Sequence, residues 1–453
     1  MCHIYFIGII EIKERQTASF LSEKILQIID SFNISISQIF SITCDNGANM
    51  LAAVKKLKEV YEYEQLCIRF DEEDIEEKEQ EIDQNLFTEE LNNKLKENLN
   101  LVRCAVHTLQ LAILDVINKS NADVKKLTDV AKKSRSAKYK TYFECHKGHY
   151  PPLWGQTRWG GIYEMVSSFL QQRQFFEKLA EQFPEMDLSN NWKFIIDYEQ
   201  AFKPLFLTTK EMQSPHVSLS DFYLKWIVAI QKIKAMNKNP FSESLVTTLT
   251  TRLAALRESQ AFKMALYLDP RLNFAGSTLF TSDEKEEIQN YVVETWQRIR
   301  ELKHSPTKCS ENFQIQKMET ENDMFITELF GGSTMNDAMS TESNFMQQLK
   351  ALEVEIRRPF DFNVWNHWTE RKGTHPELSA VAEVVLATPS NQVTVERAFS
   401  ALALVLSNAR STLSEETLSN ILLIKLNRSV FENIIPTLYD WKTNQEQADV
   451  QLN

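Results

Sequence analysis

The chain has 453 residues, of which 43% are hydrophobic and 25% charged, which is the composition of a globular protein with room for two or three domains. Its few glycines (10) and prolines (12) predict a helix-rich fold, and six cysteines without a C-x-x-C pair exclude a disulfide scaffold and indicate a reducing compartment. The net charge of -12 opposes strong non-specific DNA binding but leaves room for a local basic groove, and no apolar run is long enough for a membrane span.

The amino-terminal residues predict strands that alternate with helices. Residues 4–12 (IYFIGIIEI) are apolar and β-branched, as in a buried core strand rather than a signal peptide. Residues 16–31 have apolar positions at helical spacing, a second strand is predicted at about 37–44, and a helix at 48–63. This order is typical of an α/β layer.

An acidic segment interrupts this layer. Residues 71–90 hold eleven acidic residues and one lysine, which favours a solvated surface insertion, with an acidic partner-binding segment as the alternative. Residues 101–118 then predict a short strand that leads into a helix.

The rest of the chain is predicted to be mainly helical. From about 162 to 303 the periodicity is helical, with breaks predicted at five prolines: Pro184, Pro204, Pro215, Pro240 and Pro270. Residues 304–340 are polar and predict a linker, and an amphipathic pattern runs from 376 to about 428.

Five stretches carry the strongest motifs: CDNGANM (44–50), RCAVHTLQLAI (103–113), TRWGGIYEMV (157–166), LDPRLNF (268–274) and ATPSNQVTVERAFSAL (387–402). In this order, and continued by a block that ends near 428, they resemble the hAT (hobo/Activator-like) family of DNA transposases and the host proteins derived from them. The resemblance implies an RNase H-like core interrupted by a large helical insertion. It also implies three carboxylates that hold two Mg²⁺ ions for DNA strand transfer.

Asp45 ends a predicted strand just before a helix, so on the residues alone it is either a helix cap or a metal ligand. The resemblance implies that Asp45 and Glu396 are the second and third catalytic acids and the ligands of any Mg²⁺. The alternative for Glu396 is a solvent-facing helix residue. No D-x-W-T-S-like stretch for the first acid and no BED-type zinc finger is present. We therefore expect a domesticated or truncated derivative without transposition activity of its own.

Cys104 and His107 form a C-x-x-H pair that the family shares. Two ligands do not make a zinc site, so the expected role is structural, beside Asp45. The second Cys/His cluster, at 145–149, matches no zinc spacing.

Arg158 and Trp159 resemble the family's R-W pair, which implies nucleic-acid binding in which the indole stacks on a base. The alternative is that Trp159 only anchors the helical insertion by packing.

The carboxyl-terminal block has too many apolar positions for an isolated helix pair. The resemblance implies dimerisation, for which we predict the following residues: Phe399, Leu402, Leu413, Leu418 and Leu422. Core packing is the alternative. Arg397 and Arg410 are candidates for ion pairs or phosphate contacts.

The predicted fold is α/β and mostly helical, with an incomplete RNase H-like core. Its predicted parts are 1–150 (partial core), 151–340 (helical insertion and linker), 341–430 (core completion and dimerisation) and 431–453 (tail). The predicted function is that of a nuclear, self-associating transposase derivative, with DNA as a further partner and no membrane association. A fragment of an active transposase and an acidic helical interaction scaffold are the alternatives.

Overall fold

The structure is a computed structural model that describes residues 5–9, 12, 15, 17–57, 99–155, 159–214, 217–304, 337–406, 413–428 and 430–431, with backbone alone at 304, 337–341 and 415. The chain divides into two compact units. The first combines Met1–Ser259 with Pro389–Asn453, and the second is Gln260–Thr388. The predicted acidic segment at 71–90 lies outside the described residues, as does the predicted linker at 304–340 except for residue 304 and residues 337–340, which are helical.

The first unit is mostly helical. Its helices are α1 (Ala18–Ser31), α2 (48–57), α3 (Ala105–Ile117), α4 (Asn121–Lys133), α5 (Ala137–Cys145), α6 (Gly160–Gln171), α7 (Arg173–Gln182), α8 (Trp192–Met212), α9 (Leu219–Lys234), α10 (Ser242–Arg257), α16 (Val393–Val405) and α17 (Glu415–Leu426). The prediction of a mainly helical chain is thus confirmed.

Two short parallel strands position the candidate site. β1 (Ser41–Cys44) pairs with β2 (Asn100–Arg103), with Ser41 opposite Asn100 and Cys44 opposite Arg103. Parallel pairing requires a crossover, and the chain between residues 44 and 100 provides it. The predicted strand-to-helix element at 101–118 is confirmed, because α3 begins directly after β2.

The predicted strand at 4–12 is wrong over the residues that can be described there. Residues 5–9 have no regular secondary structure. The Asn427 side chain forms hydrogen bonds with both backbone polar groups of Phe6. The Phe6 N–H donates to Asn427 Oδ1 at 2.7 Å, and Asn427 Nδ2 donates to the Phe6 carbonyl at 2.6 Å. A side-chain amide at this position takes the backbone groups that a neighbouring strand would otherwise bond.

The predicted helix break at Pro204 is also wrong, because this proline lies inside α8. Buried side chains such as Phe202 and Leu205 flank it on the core face, and their packing offsets the missing backbone hydrogen bond. Pro184, Pro240 and Pro270 lie between α-helices, as predicted, with Pro184 at the start of a short 3-10 helix, and Pro215 is outside the described residues.

The second unit is built from five helices among its described residues: α11 (Gln260–Tyr267), α12 (Ser282–His304), α13 (Asp337–Ala351), α14 (Val364–Arg371) and α15 (Pro376–Leu386). The LDPRLNF motif is almost entirely buried in this unit. Asp269 and Arg271 are buried and ion-paired with each other, and Trp368 Nε1 donates to the Leu268 carbonyl at 3.0 Å. This motif therefore has a structural role, since the buried guanidinium and carboxylate satisfy each other.

Candidate functional site

Asp45 lies immediately after β1, at the carboxyl ends of the two strands, where ligand sites of α/β sheets lie. The side chain is half-buried, and its Oδ1 accepts the Gly47 N–H at 3.0 Å in the turn that leads into α2. A short Asp side chain in this arrangement stabilises the turn ahead of a helix. Because Gly47 precedes the first residue of α2, this contact stabilises the turn and does not cap the helix itself.

The C-x-x-H motif lies against this turn. The Cys104 N–H donates to the Cys44 carbonyl at 2.7 Å, and α3 begins one residue later. Asn46 Nδ2 donates to Thr108 Oγ1 at 3.0 Å, and Thr108 Oγ1 in turn donates to the Cys104 carbonyl at 2.9 Å. The predicted proximity of Cys104 to the Asp45 turn thus has a direct structural basis.

The ATPSNQVTVERAFSAL stretch (387–402) also contacts the end of β1, although it lies more than 340 residues after Thr43 in the chain. Thr43 Oγ1 donates to the Pro389 carbonyl at 2.7 Å, and Gln392 Nε2 donates to the Thr43 carbonyl at 3.3 Å. The Ala105 N–H donates to the Ser390 carbonyl at 2.9 Å. These bonds fix the start of α16 across the strand ends, and Glu396 lies in the first turn of that helix.

Asp45 and Glu396 each contribute to the raised pKa of one buried thiol. Burial, and secondarily the charge of Asp45, raises the pKa of Cys44 to about 11. Burial also raises the pKa of Cys104, where the backbone N–H groups of His107 and Gln392 act in the opposite direction and the charge of Glu396 adds to the rise. Both thiols are therefore neutral near pH 7, and neither has the thiolate character of a nucleophile.

The oxygens near Asp45 do not make up a complete metal site. Glu396 is an exposed helix residue, and Asn46 Oδ1 is a buried acceptor without a hydrogen-bond partner among the described residues. Within the ranges given above, no group of three His, Cys, Asp or Glu side chains is placed to hold a metal ion. The described donors thus do not fit the two-metal, three-carboxylate site that the resemblance implies. The catalytic roles of Asp45 and Glu396 stay predictions.

Trp159 is buried, with 2% of its surface exposed. Its ring packs against three aromatic neighbours, with centroid distances of 6.4 Å to Tyr163, 6.4 Å to Phe202 and 6.2 Å to Phe206. This environment favours the packing alternative, because a buried ring presents no face to a base. Arg158 is outside the described residues, so nucleic-acid binding by this pair stays a prediction.

The predicted dimerisation residues differ in exposure. Phe399 is 58% exposed, whereas Leu402, Leu413 and Leu418 are half-buried and Leu422 is fully buried. Phe399 is thus available to a partner, whereas Leu422 packs inside the chain. Arg397 is exposed, and Arg410 falls outside the described residues.

Sequence reasoning missed an apolar stripe along α16. Val395 and Leu406 are exposed. Val395, Phe399 and Leu402 follow the spacing i, i+4 and i+7, which places them on one side of the helix, and Leu406 comes directly after the last residue of α16. We call these four residues the α16 face. The spacing is visible in the sequence, but it does not show that this side is left uncovered.

Comparison with known proteins identifies one region and two relatives. Residues 341–427 match the hAT family C-terminal dimerisation region. The chain is 22% identical over 351 residues to the human zinc finger BED domain-containing protein 4, a match that covers 72% of this chain and 29% of that protein. It is 21% identical over 278 residues to the Arabidopsis thaliana zinc finger BED domain-containing protein DAYSLEEPER, over 58% of this chain and 38% of that protein. The matches thus span less than half the length of either relative.

Proposed function

We propose that this chain, which is a hAT transposase-derived protein with the family's C-terminal dimerisation region, forms a homodimer through the α16 face. The observation that carries the proposal is the exposure of Phe399, a large aromatic side chain that is 58% exposed within that region. Aromatic residues are typical anchors of protein interfaces, and contiguous exposed apolar patches mark interaction sites.

The distribution of exposed apolar side chains supports this proposal. Among the described residues, seventeen large hydrophobic side chains are exposed, and nine of them lie within 341–427. This region is a minor part of the chain, so exposed apolar surface is concentrated in it. Two members, Ile421 and Ile424, belong to α17, which packs against α16 and would extend the interface beyond the α16 face.

Sedimentation velocity on the full chain, from submicromolar to tens of micromolar, tests the proposal. The wild-type chain is expected to show a concentration-dependent dimer. Phe399→Asp is expected to weaken the dimer by tenfold or more, corresponding to about 1.4 kcal/mol, because it buries a charge in an apolar interface.

Phe32→Asp is the matched control, since Phe32 is also an exposed aromatic residue but lies outside the matched region. It should leave the dimer unchanged. A wild-type chain that stays monomeric at tens of micromolar, or a Phe399→Asp dimer as strong as wild type, refutes the proposal.

Association with DNA and location in the nucleus complete the proposed function. Their support is the similarity to two proteins named for a BED zinc finger. Separately, no helix in the described part of the chain is both long and apolar enough to cross a membrane. RNase H-like architecture of the first unit belongs to the same proposal: two parallel strands followed by helices are consistent with part of such a core. Fluorescence imaging of the tagged chain tests the location.

A further inference from the structure

Positive charge is concentrated in one part of this acidic chain. The whole chain has 50 Lys and Arg residues against 62 Asp and Glu, but residues 119–150 hold nine Lys and Arg against three Asp and Glu. This part contains α4 and α5 and belongs to the first unit. A local cluster of this kind creates a positive potential even where the net charge is negative.

Helix α4 presents four of these nine cations on one exposed side. Its buried residues are Val124, Leu127, Val130 and Ala131. The opposite side is exposed and contains Lys125, Lys126, Asp129, Lys132 and Lys133. We call these four lysines the α4 lysine face. Lys125 and Lys132 are two helical turns apart, a separation of about 10 Å along the axis.

Most lysines of this face have no carboxylate partner among the described residues. Several lysines elsewhere in the chain are paired, as Lys285 is with Glu353 and Lys263 with Glu287. On α4, Lys126 lies near Asp187, since its charge contributes to lowering the pKa of that carboxyl after the hydrogen bonds from Ser189. The remaining lysines, 125, 132 and 133, make no ion pair with a described residue, so their charge is available to an external anion.

Hydrogen bonds join α4 and the residues just after it to the segment 150–155, which precedes Arg158 and Trp159 in the sequence. Trp154 Nε1 donates to Thr128 Oγ1 on α4 at 3.0 Å. Just after α4, Arg135 Nη2 donates to the Pro151 carbonyl at 2.6 Å, and its guanidinium lies 5.7 Å from the ring centre of the exposed Tyr150. The cations and one exposed aromatic ring thus lie in the same part of the first unit.

We propose that the α4 lysine face binds the phosphate backbone of nucleic acid without reading its sequence. Lysine ammonium groups act as point charges toward phosphates, and neutralising several phosphates releases counterions. The face has no exposed apolar anchor of its own, which favours a polyphosphate over an acidic peptide. The inference rests on the proposed association with DNA and names its surface, whereas dimerisation through the α16 face is independent of it.

The test is fluorescence anisotropy of a labelled DNA duplex of arbitrary sequence with the full chain, over salt concentrations of about 50 to 200 mM. The variant is K125Q/K132Q/K133Q. Its dissociation constant should rise by roughly tenfold or more at the lowest salt, and its salt slope should fall by about 2–3, nearly one per lost phosphate contact.

The matched control is K232Q/K234Q/K238Q, which removes the same charge. Lys232 and Lys234 lie in the last turn of α9, as Lys132 and Lys133 lie in the last turn of α4. The control therefore matches the loss of helix-dipole stabilisation. It should bind DNA like the wild type. Melting curves of both variants verify that the first unit stays folded.

Three results overturn the inference: no retention of the duplex by the wild-type chain at low salt, an equal loss of affinity in the control, or a loss of poly-glutamate binding as large as the loss of DNA binding. The last result would assign the face to acidic peptides. Sedimentation of the same variants separates this failure from that of the proposed dimer, because neither set of lysines lies in the matched dimerisation region.

Discussion

The helix that follows Trp159 and the helix that contains Phe399 begin with similar sequence patterns but end in opposite environments. TRWGGIYEMV and VTVERAFSAL both place aromatic and aliphatic side chains at helical spacing. Trp159 is 2% exposed and surrounded by aromatic rings of α6 and α8, whereas Phe399 is 58% exposed. The same periodicity thus predicts a helix in both places without predicting what covers it.

The difference follows from the number of elements packed around each helix. α6 packs against α8, α4 and α7, so its apolar side is enclosed. α16 packs against α17 and has buried residues, among them Ala398 and Ala401, whereas Val395, Phe399 and Leu406 of the α16 face are exposed. An exposed apolar stripe of this kind costs solvation free energy, and a second chain would remove that cost.

The largest loss of stability is predicted in the aromatic cluster around Trp159. Phe202 is fully buried, stacked on Tyr198 with a centroid distance of 4.1 Å and edge-on to Phe241 at 5.4 Å. Phe202→Ala is expected to lower the free energy of unfolding by about 3–5 kcal/mol, because a large cavity remains in an enclosed site. Urea denaturation followed by tryptophan fluorescence measures it.

Phe32→Ala is the control for this change, since Phe32 is 44% exposed. It should shift the free energy of unfolding by less than about 0.5 kcal/mol. A loss of under 1 kcal/mol for Phe202→Ala, on the other hand, would show that the cluster relaxes around the cavity, and would contradict the contrast with the α16 face.

Local patterns in the sequence predicted much of the fold. Apolar spacing predicted α1, β1 and the β2–α3 element near their observed positions. It failed at residues 5–9 and at Pro204, where long-range packing decides: Asn427 bonds the Phe6 backbone, and the buried face of α8 holds the helix together. Periodicity contains no information about such distant partners.

The sequence predicted which motifs belong to the candidate site, but not the contacts that bring them together. Asp45, Cys104 and Glu396 were selected because the order of the motifs resembles a family. The hydrogen bonds by which Thr43, Ser390 and Gln392 join the motifs could not be predicted, because the type of a polar residue does not specify a partner hundreds of residues away. The sequence also could not decide whether Trp159 is buried, because base stacking and core packing both favour an aromatic residue.

An intermediate effect is predicted at Leu422, which is fully buried in α17 although it belongs to the predicted dimerisation residues. Leu422→Ala is expected to lower the free energy of unfolding by about 2–3 kcal/mol, below the effect at Phe202 because exposed neighbours allow the site to relax. Leu404→Ala, at a residue 76% exposed, is the control and should be nearly neutral. Denaturation at submicromolar chain concentration measures both, and equal losses would show that α17 has no buried side.

The smallest change in stability is predicted at Phe399. Phe399→Ala removes a side chain that is 58% exposed, so it should shift the free energy of unfolding of the monomer by less than about 0.5 kcal/mol. The dimer should nonetheless weaken severalfold, because the same ring becomes buried only in the complex and truncating an interface aromatic commonly costs more than about 1 kcal/mol of binding free energy.

An effect on dimerisation without an effect on monomer stability distinguishes an interface residue from a core residue. Stability must be measured at concentrations where the chain is monomeric, since self-association stabilises the folded state by mass action. Leu422→Ala should change both quantities, and Phe399→Ala only the association. If Phe399→Ala destabilises the monomer as much as Leu422→Ala does, the α16 face is covered within the chain. The contrast between α16 and the Trp159 cluster would then be one of degree, and core packing would replace dimerisation as the role of Phe399.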